Sequence, residues 1–243
     1  MNKVVVITGA SSGIGESMAR KFKAEGFVVV GISRSQPKIE VDLWSKTDLT
    51  VKQERLEAFQ KISDEYGRCD VIINNAGVGL YDTWENIDED ALRMEFELNF
   101  FSVVHMTQLF LPLLKESKGT VINTSSIAGK IYVPCMGSYC ATKSAVYMFS
   151  HSLRAEVKQY GVNVLNLIVG RINTGFSSRS YGEMFPPSTP GGGCPDTLAN
   201  KVFKAYQKKK RQITYPLWYE AVVPFVKLFG TFYDNANIKK WGL

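Results

Sequence analysis

The chain has 243 residues, a net charge of +6 and a pI near 9.0; 45% of it is hydrophobic and 21% charged. Those values belong to an ordinary soluble globular protein able to bury a sizeable core, and they speak against a disordered or fibrous chain. The four cysteines, Cys69, Cys135, Cys140 and Cys194, have no CxxC spacing, so no disulfide framework or metal site is expected, and reduced thiols in a cytoplasmic protein are.

Val4–Thr8 is a continuous apolar run. It is too short for a signal peptide or a membrane span and reads as a first strand buried on both faces. It gives way at TGASSGIG, Thr8–Gly15, to a helical pattern over Ile14–Ala24. Glycine costs conformational entropy, so Gly9, Gly13 and Gly15 at this junction mark either a tight turn or a loop whose backbone closely approaches a ligand. In the second case the helix amino end faces an anion. The spacing differs from the GxGxxG dinucleotide fingerprint but serves the same physical ends.

The second strand, Phe27–Ile32, is followed by Ser33 and Arg34. A carboxylate there would bind the free ribose hydroxyls of NAD, whereas a guanidinium fits the 2′-phosphate of NADP. NADP (NADPH) is the expected cofactor, with NAD and a merely solvated arginine as the alternatives.

Helices are expected over Leu49–Tyr66, Ala91–Leu114 and Tyr139–Tyr160, and strands over Val71–Asn74, Thr120–Thr124 and Val162–Val169. Continuous apolar strands separated by helices predict one α/β domain over residues 1–243. Its sheet is doubly wound and mostly parallel, with helices on both faces and ligands at the strands' carboxyl ends. The rhythm breaks at residues 170–195, rich in Gly, Ser and Pro. This stretch is expected to be a substrate lid with Phe176, Tyr181, Met184 and Phe185 on its underside; a passive surface excursion is the alternative.

A polar helix, Asp196–Lys210, and a short strand, Gln212–Pro216, follow. Residues 212–243 form an apolar extension, in which Pro224 argues against one uninterrupted helix. Its aromatic residues suit packing on the domain or on a second subunit; a membrane surface or a lipophilic substrate is the less favoured use. Lys208–Arg211 ends a helix, where cations meet the macrodipole, so no nucleic-acid partner is called for. His105 and His151 read as structural.

The chemistry-bearing stretch is Asn123–Val146. Tyr139 and Lys143 are four apart and share a helix face. A free phenol, with a pKa of about 10, is a poor proton carrier at neutral pH, and a nearby ammonium favours its phenolate. Ser126 closes the preceding strand and can hydrogen-bond a substrate carbonyl.

Together these motifs resemble the short-chain dehydrogenase/reductase family over residues 3 to 175: TGASSGIG at Thr8–Gly15, NNAG at Asn74–Gly77, Ser126, and YCATK at Tyr139–Lys143. The resemblance implies a Rossmann-like fold and an oxidoreductase that interconverts a carbonyl and a secondary alcohol; NADPH-driven reduction is the expected direction. In it Tyr139 carries the proton, Lys143 lowers the tyrosine pKa and binds the nicotinamide ribose, Ser126 holds the substrate oxygen, and Asn99 supports a water linked to Lys143. Cofactor contacts are implied for Gly9, Ser11, Ser12, Gly13, Ile14, Gly15, Asn75, Ala76, Gly77, Gly170, Ile172 and Thr174, with Asp42 and Leu43 beside the adenine. Val169 stands where the family has a proline. Homodimers or homotetramers joined through Ala91–Leu114 and Tyr139–Tyr160 are also implied. An NAD-linked alcohol dehydrogenase and a cofactor-binding regulator with little turnover are the alternative functions.

Overall fold

The computed structural model describes residues 2–187 and 191–242; residues 188–190 of the expected lid, and residues 1 and 243, lie outside the described residues. Val4–Thr8 forms β1, and Gly13–Ala24 forms α1. Then come β2 (Val28–Ser33), β3 (Leu43–Lys46), α2 (Lys52–Tyr66) and β4 (Val71–Asn74). α3 (Glu89–Phe96) runs through a π turn, Glu97–Phe101, into α4 (Ser102–Ser117). β5 (Thr120–Ser126), α5 (Gly137–Val157) and β6 (Asn163–Val169) follow. The chain closes with α6 (Pro195–Gln207), β7 (Gln212–Tyr215), α7 (Tyr219–Leu228) and α8 (Gly230–Trp241).

The seven strands lie in the order β3-β2-β1-β4-β5-β6-β7, and every pairing is parallel. The β1 sequence accounts for burial on both of its faces. Val5 and Ile7 point to the face covered by α1 and α6, where they meet Phe22, Leu198 and Phe203. Val4 and Val6 point to the other face, with Ile62 of α2, Phe110 of α4 and Leu153 of α5. Both faces being covered, the strand is apolar at consecutive positions from Val4 to Ile7 rather than at alternate ones. Burying each such side chain contributes about 1.5–3 kcal/mol. The strand order reverses between β1 and β4, which leaves a crevice at their carboxyl ends.

Three elements depart from the sequence expectation. β3 was not expected: it is an edge strand of four residues, Leu-Trp-Ser-Lys, with no apolar run to announce it. The expected helix Ala91–Leu114 is broken by the π turn, which carries Asn99. In the extension, Pro224 lies inside α7, and the break between the two helices falls at Phe229 instead. Pro224 is the sixth residue of α7, past the first turn, so it offers no N–H to the Glu220 carbonyl, and the helix nevertheless continues to Leu228.

α7 and α8 fold back over the carboxyl ends of β6 and β7. The Tyr219 hydroxyl accepts the Arg171 N–H at 3.3 Å, Tyr132 donates to Asp234 at 2.7 Å, and Tyr233 donates to the Tyr132 carbonyl at 3.0 Å. No helix among the described residues is long and apolar enough to cross a membrane.

Candidate active site

A cavity of about 1100 Å³ opens along the carboxyl edge of the sheet. At one end it is lined by the turn between β1 and α1: Gly9, Ser11, Ser12, Gly13 and Ile14. Gly9 and Gly13 have φ of +69° and +58°, a conformation that favours glycine. A Cβ on Gly13 would sit 3.0 Å from the Thr174 side chain, and one on Gly15 would sit 2.1 Å from the Gly9 carbonyl oxygen. Gly13 thus keeps the turn open beneath Thr174, whereas Gly15 permits close packing and does not itself line the cavity. Ser12, at the N-cap of α1, makes no side-chain capping bond, so the helix amino end is available to an anion. Thr8 ties this turn to the next: its hydroxyl accepts the N–H groups of Asn75 at 2.9 Å and Ala76 at 3.1 Å. These features fit the diphosphate of a dinucleotide.

Beyond the turn the wall is formed by Ser33, which ends β2, and Arg34, and by Asp48 and Leu49, after β3. Burial pushes the Asp48 carboxyl up, but two hydrogen bonds from Thr50 and the Arg34 guanidinium outweigh it and hold the group below its ordinary value. Asp42 and Leu43, expected beside the adenine, do not line the cavity. Leu43 opens β3 at its amino end, and Asp42 accepts the Val29 N–H at 2.7 Å and the Lys23 ammonium at 2.6 Å; neither lines the cavity. An acidic–apolar pair at the ligand edge must follow a parallel strand, and the pair that follows β3 is Asp48–Leu49. Asp48 and Leu49, not Asp42 and Leu43, stand at the cavity edge.

In the middle of the cavity β5 delivers Ser126 and α5 delivers Tyr139 and Lys143, all three lining it. The Ser126 hydroxyl donates to the Val169 carbonyl at 3.0 Å and accepts the Ala128 N–H at 3.1 Å. It also faces the Tyr139 phenol. Lys143 Nζ is 5.6 Å from the Tyr139 ring centroid and donates to the Thr124 carbonyl at 3.0 Å. Burial pushes its ammonium down to about 8, against the pull of Glu95. The expected lowering of the phenol by Lys143 does not prevail: burial, with Tyr81 and Glu95 nearby, holds Tyr139 above its ordinary value, and the Ser126 hydroxyl opposes them.

Asn99 stands behind this group rather than in the cavity wall. Its amide accepts the Val78 N–H at 2.9 Å and donates to the Val78 carbonyl at 2.8 Å and to Thr142 at 3.2 Å. π turns recur at functional sites because the extra residue re-aims the side chains around it. Asn75, Ala76 and Gly77 line the cavity next to Asn99, and Gly170, Ile172 and Thr174 line it from the segment after β6.

Sequence reading missed Glu95, fully buried one helical turn before Asn99. Burial pushes its carboxyl up to about 7, against the Ser138 hydroxyl, the Leu80 N–H and the Lys143 ammonium. An acid in the buried phase of a helix was the available signal. Arg179 and Tyr81, both in the cavity wall, were missed too. At the far end the wall is aromatic, with Trp218 just before α7 and Tyr219, Phe225, Phe232 and Tyr233 from the two C-terminal helices.

A doubly wound parallel sheet with a cleft at its reversal point defines a Rossmann-like α/β protein. The chain belongs to the short-chain dehydrogenase/reductase family, whose short chain dehydrogenase profile matches residues 3–183. It is 36% identical over 185 residues to the 3-ketodihydrosphingosine reductase of Bacteroides thetaiotaomicron, covering 75% of this chain and 69% of that protein. It is 30% identical over 247 residues to the NADPH-dependent 3-dehydrocapnine reductase of Ornithobacterium rhinotracheale, covering 88% and 87%. Among solved structures it is similar to the alcohol dehydrogenase of the archaeon Thermococcus sibiricus complexed with 5-hydroxy-NADP. The TM-score is 0.78 at 27% identity, over 88% of this chain and 96% of that one.

Proposed function

We propose that the protein is an NADP(H)-dependent reductase that converts a ketone on an apolar or acyl-type substrate to a secondary alcohol. One observation carries this reading: a single cavity joins the glycine turn, the Ser126–Tyr139–Lys143 group and an aromatic wall. When bound, the nicotinamide supplies the hydride. Ser126 orients the substrate oxygen and Tyr139 gives it a proton. Lys143, held on the Thr124 carbonyl, lies beside the phenol and favours the phenolate left behind. Asn99 positions Lys143 and its helix through Thr142.

Arg34, exposed at the cavity edge with no carboxylate following β2, supports NADP over NAD. Two relatives are named as reductases, one of them NADPH-dependent, and this supports the reductive direction. A homodimer or homotetramer through α4 and α5 belongs to the same reading, since Met148 on α5 is left exposed. The test is NADPH oxidation by the purified protein over a panel of ketones of increasing chain length, repeated with NADH. Turnover with NADPH on apolar ketones is expected; tight NADPH binding with no turnover on any of them would favour a regulatory binder.

A further inference from the structure

The segment after β6 crosses the cavity and touches both banks. On one bank Tyr181 pairs with Leu80: the Tyr81 N–H donates to the Tyr181 carbonyl and the Tyr181 N–H to the Gly79 carbonyl, each at 2.9 Å. In the middle the Phe176 ring lies 5.8 Å from the Tyr139 ring. On the other bank Arg179 reaches the glycine turn, where its Nη1 donates to Ser12 Oγ at 2.6 Å. Its Nε and Nη2 donate to the carbonyls of Gly175 and Thr174 at 3.3 and 3.5 Å.

All three of these bonds end on neutral oxygens, and two of them are long. A guanidinium makes its strongest bonds to phosphate or carboxylate, roughly twice as strong as neutral ones. The Ser12 hydroxyl that Arg179 holds stands at the uncapped amino end of α1, and both residues line the cavity. An anion laid against this turn therefore meets helix N–H groups from below and a guanidinium from the covering segment.

We propose that Arg179 is a phosphate ligand of the dinucleotide, exchanging its bond to Ser12 for a charge-assisted one. The inference rests on the dinucleotide reading above. Two phosphate sources share this chemistry, the diphosphate and the 2′-phosphate beside Arg34, and the experiment separates them.

Wild type, Arg179→Gln and Arg179→Lys are titrated with NADPH and with NADH by protein fluorescence, with thermal unfolding of each free protein as a check on folding. Arg179→Gln is expected to weaken binding by about tenfold or more, and Arg179→Lys, which keeps the charge but not the fork, by less. Equal losses for both nucleotides identify the diphosphate; a loss confined to NADPH identifies the 2′-phosphate. Hydrogen exchange over residues 175–187 gives a second readout, in which NADPH protects the wild type and fails to protect Arg179→Gln. Unchanged affinity of both variants for both nucleotides, with the wild type binding well, overturns the proposal and leaves the dinucleotide reading intact. Wild-type protein that binds neither nucleotide refutes that reading and this proposal together.

Discussion

Glu95 Oε1 accepts the Leu80 backbone N–H at 3.0 Å with no exposure to solvent, and so fastens α3 to the loop that carries Tyr81 beside Tyr139. Burial raises this carboxyl from 4.5 to about 7. A raised carboxyl pKa means the folded state holds a proton that the unfolded state gives up between those values. Stability therefore falls as pH rises from about 4.5 to 7 and levels off above. Glu95→Gln keeps an acceptor for Leu80 and has no charge to bury. Its stability relative to wild type is expected to grow across that window by about 3 kcal/mol. Urea unfolding of both proteins at pH 4.5, 5.5, 6.5 and 7.5 measures it; a flat difference would show that Glu95 does not titrate there.

Tyr139→Phe removes the only transferable proton of the proposed donor and keeps the ring that packs near Phe176. Reduction is expected to slow by a factor on the order of 10² or more, with NADPH affinity largely retained. Single-turnover rates and a binding titration on the same preparation separate the two effects. Near wild-type turnover would assign the proton to another group.

Arg34→Asp replaces the guanidinium beside Asp48 with a second carboxylate, repelling a 2′-phosphate where the wild type attracts it. The preference for NADPH over NADH, measured as the ratio of kcat/KM values, is expected to fall by about 10²-fold, or roughly 2.7 kcal/mol. An unchanged ratio would remove Arg34 from the cofactor site.

β1 and β4 were legible because strands buried on both faces carry consecutive apolar residues, here Val4–Ile7 and Val71–Ile73, and both have the bounds expected of them. The glycine turn, Ser126, Tyr139 and Lys143 were legible because their chemistry depends on spacing along one strand or one helix. What stayed hidden depends on contacts between distant parts of the chain. β3 is recognisable only through its pairing with β2, so Asp48 and Leu49, which follow it in the cavity wall, gave no signal. Glu95 is an ordinary helix residue until the fold buries it against Leu80, and Arg179 an ordinary loop residue until it meets Ser12, 167 positions away. The Tyr139 phenol illustrates the same limit in electrostatics: the i,i+4 lysine was visible in the sequence, but the burial that dominates was not.

The C-terminal helices give the proposed substrate class its own test. Phe225 and Phe232 stand edge to face with centroids 6.2 Å apart, and both line the cavity with Trp218. Phe232 is 66% exposed, so its removal takes little from the core. If an aliphatic chain lies against this wall, it covers the Phe232 ring and gains the burial that the ring lacks in the free protein. Phe232→Ser should then raise KM for long-chain ketones by roughly tenfold, the equivalent of about 1.4 kcal/mol of lost apolar contact. A ketone too short to reach from Tyr139 to α8 should be reduced with unchanged kcat/KM. That contrast is what distinguishes a binding wall from a structural one, because a loosened cap would lower activity on both substrates alike. Measuring kcat and KM for wild type and Phe232→Ser across a chain-length series decides it, and a parallel decline at every length would assign the aromatic wall to packing alone.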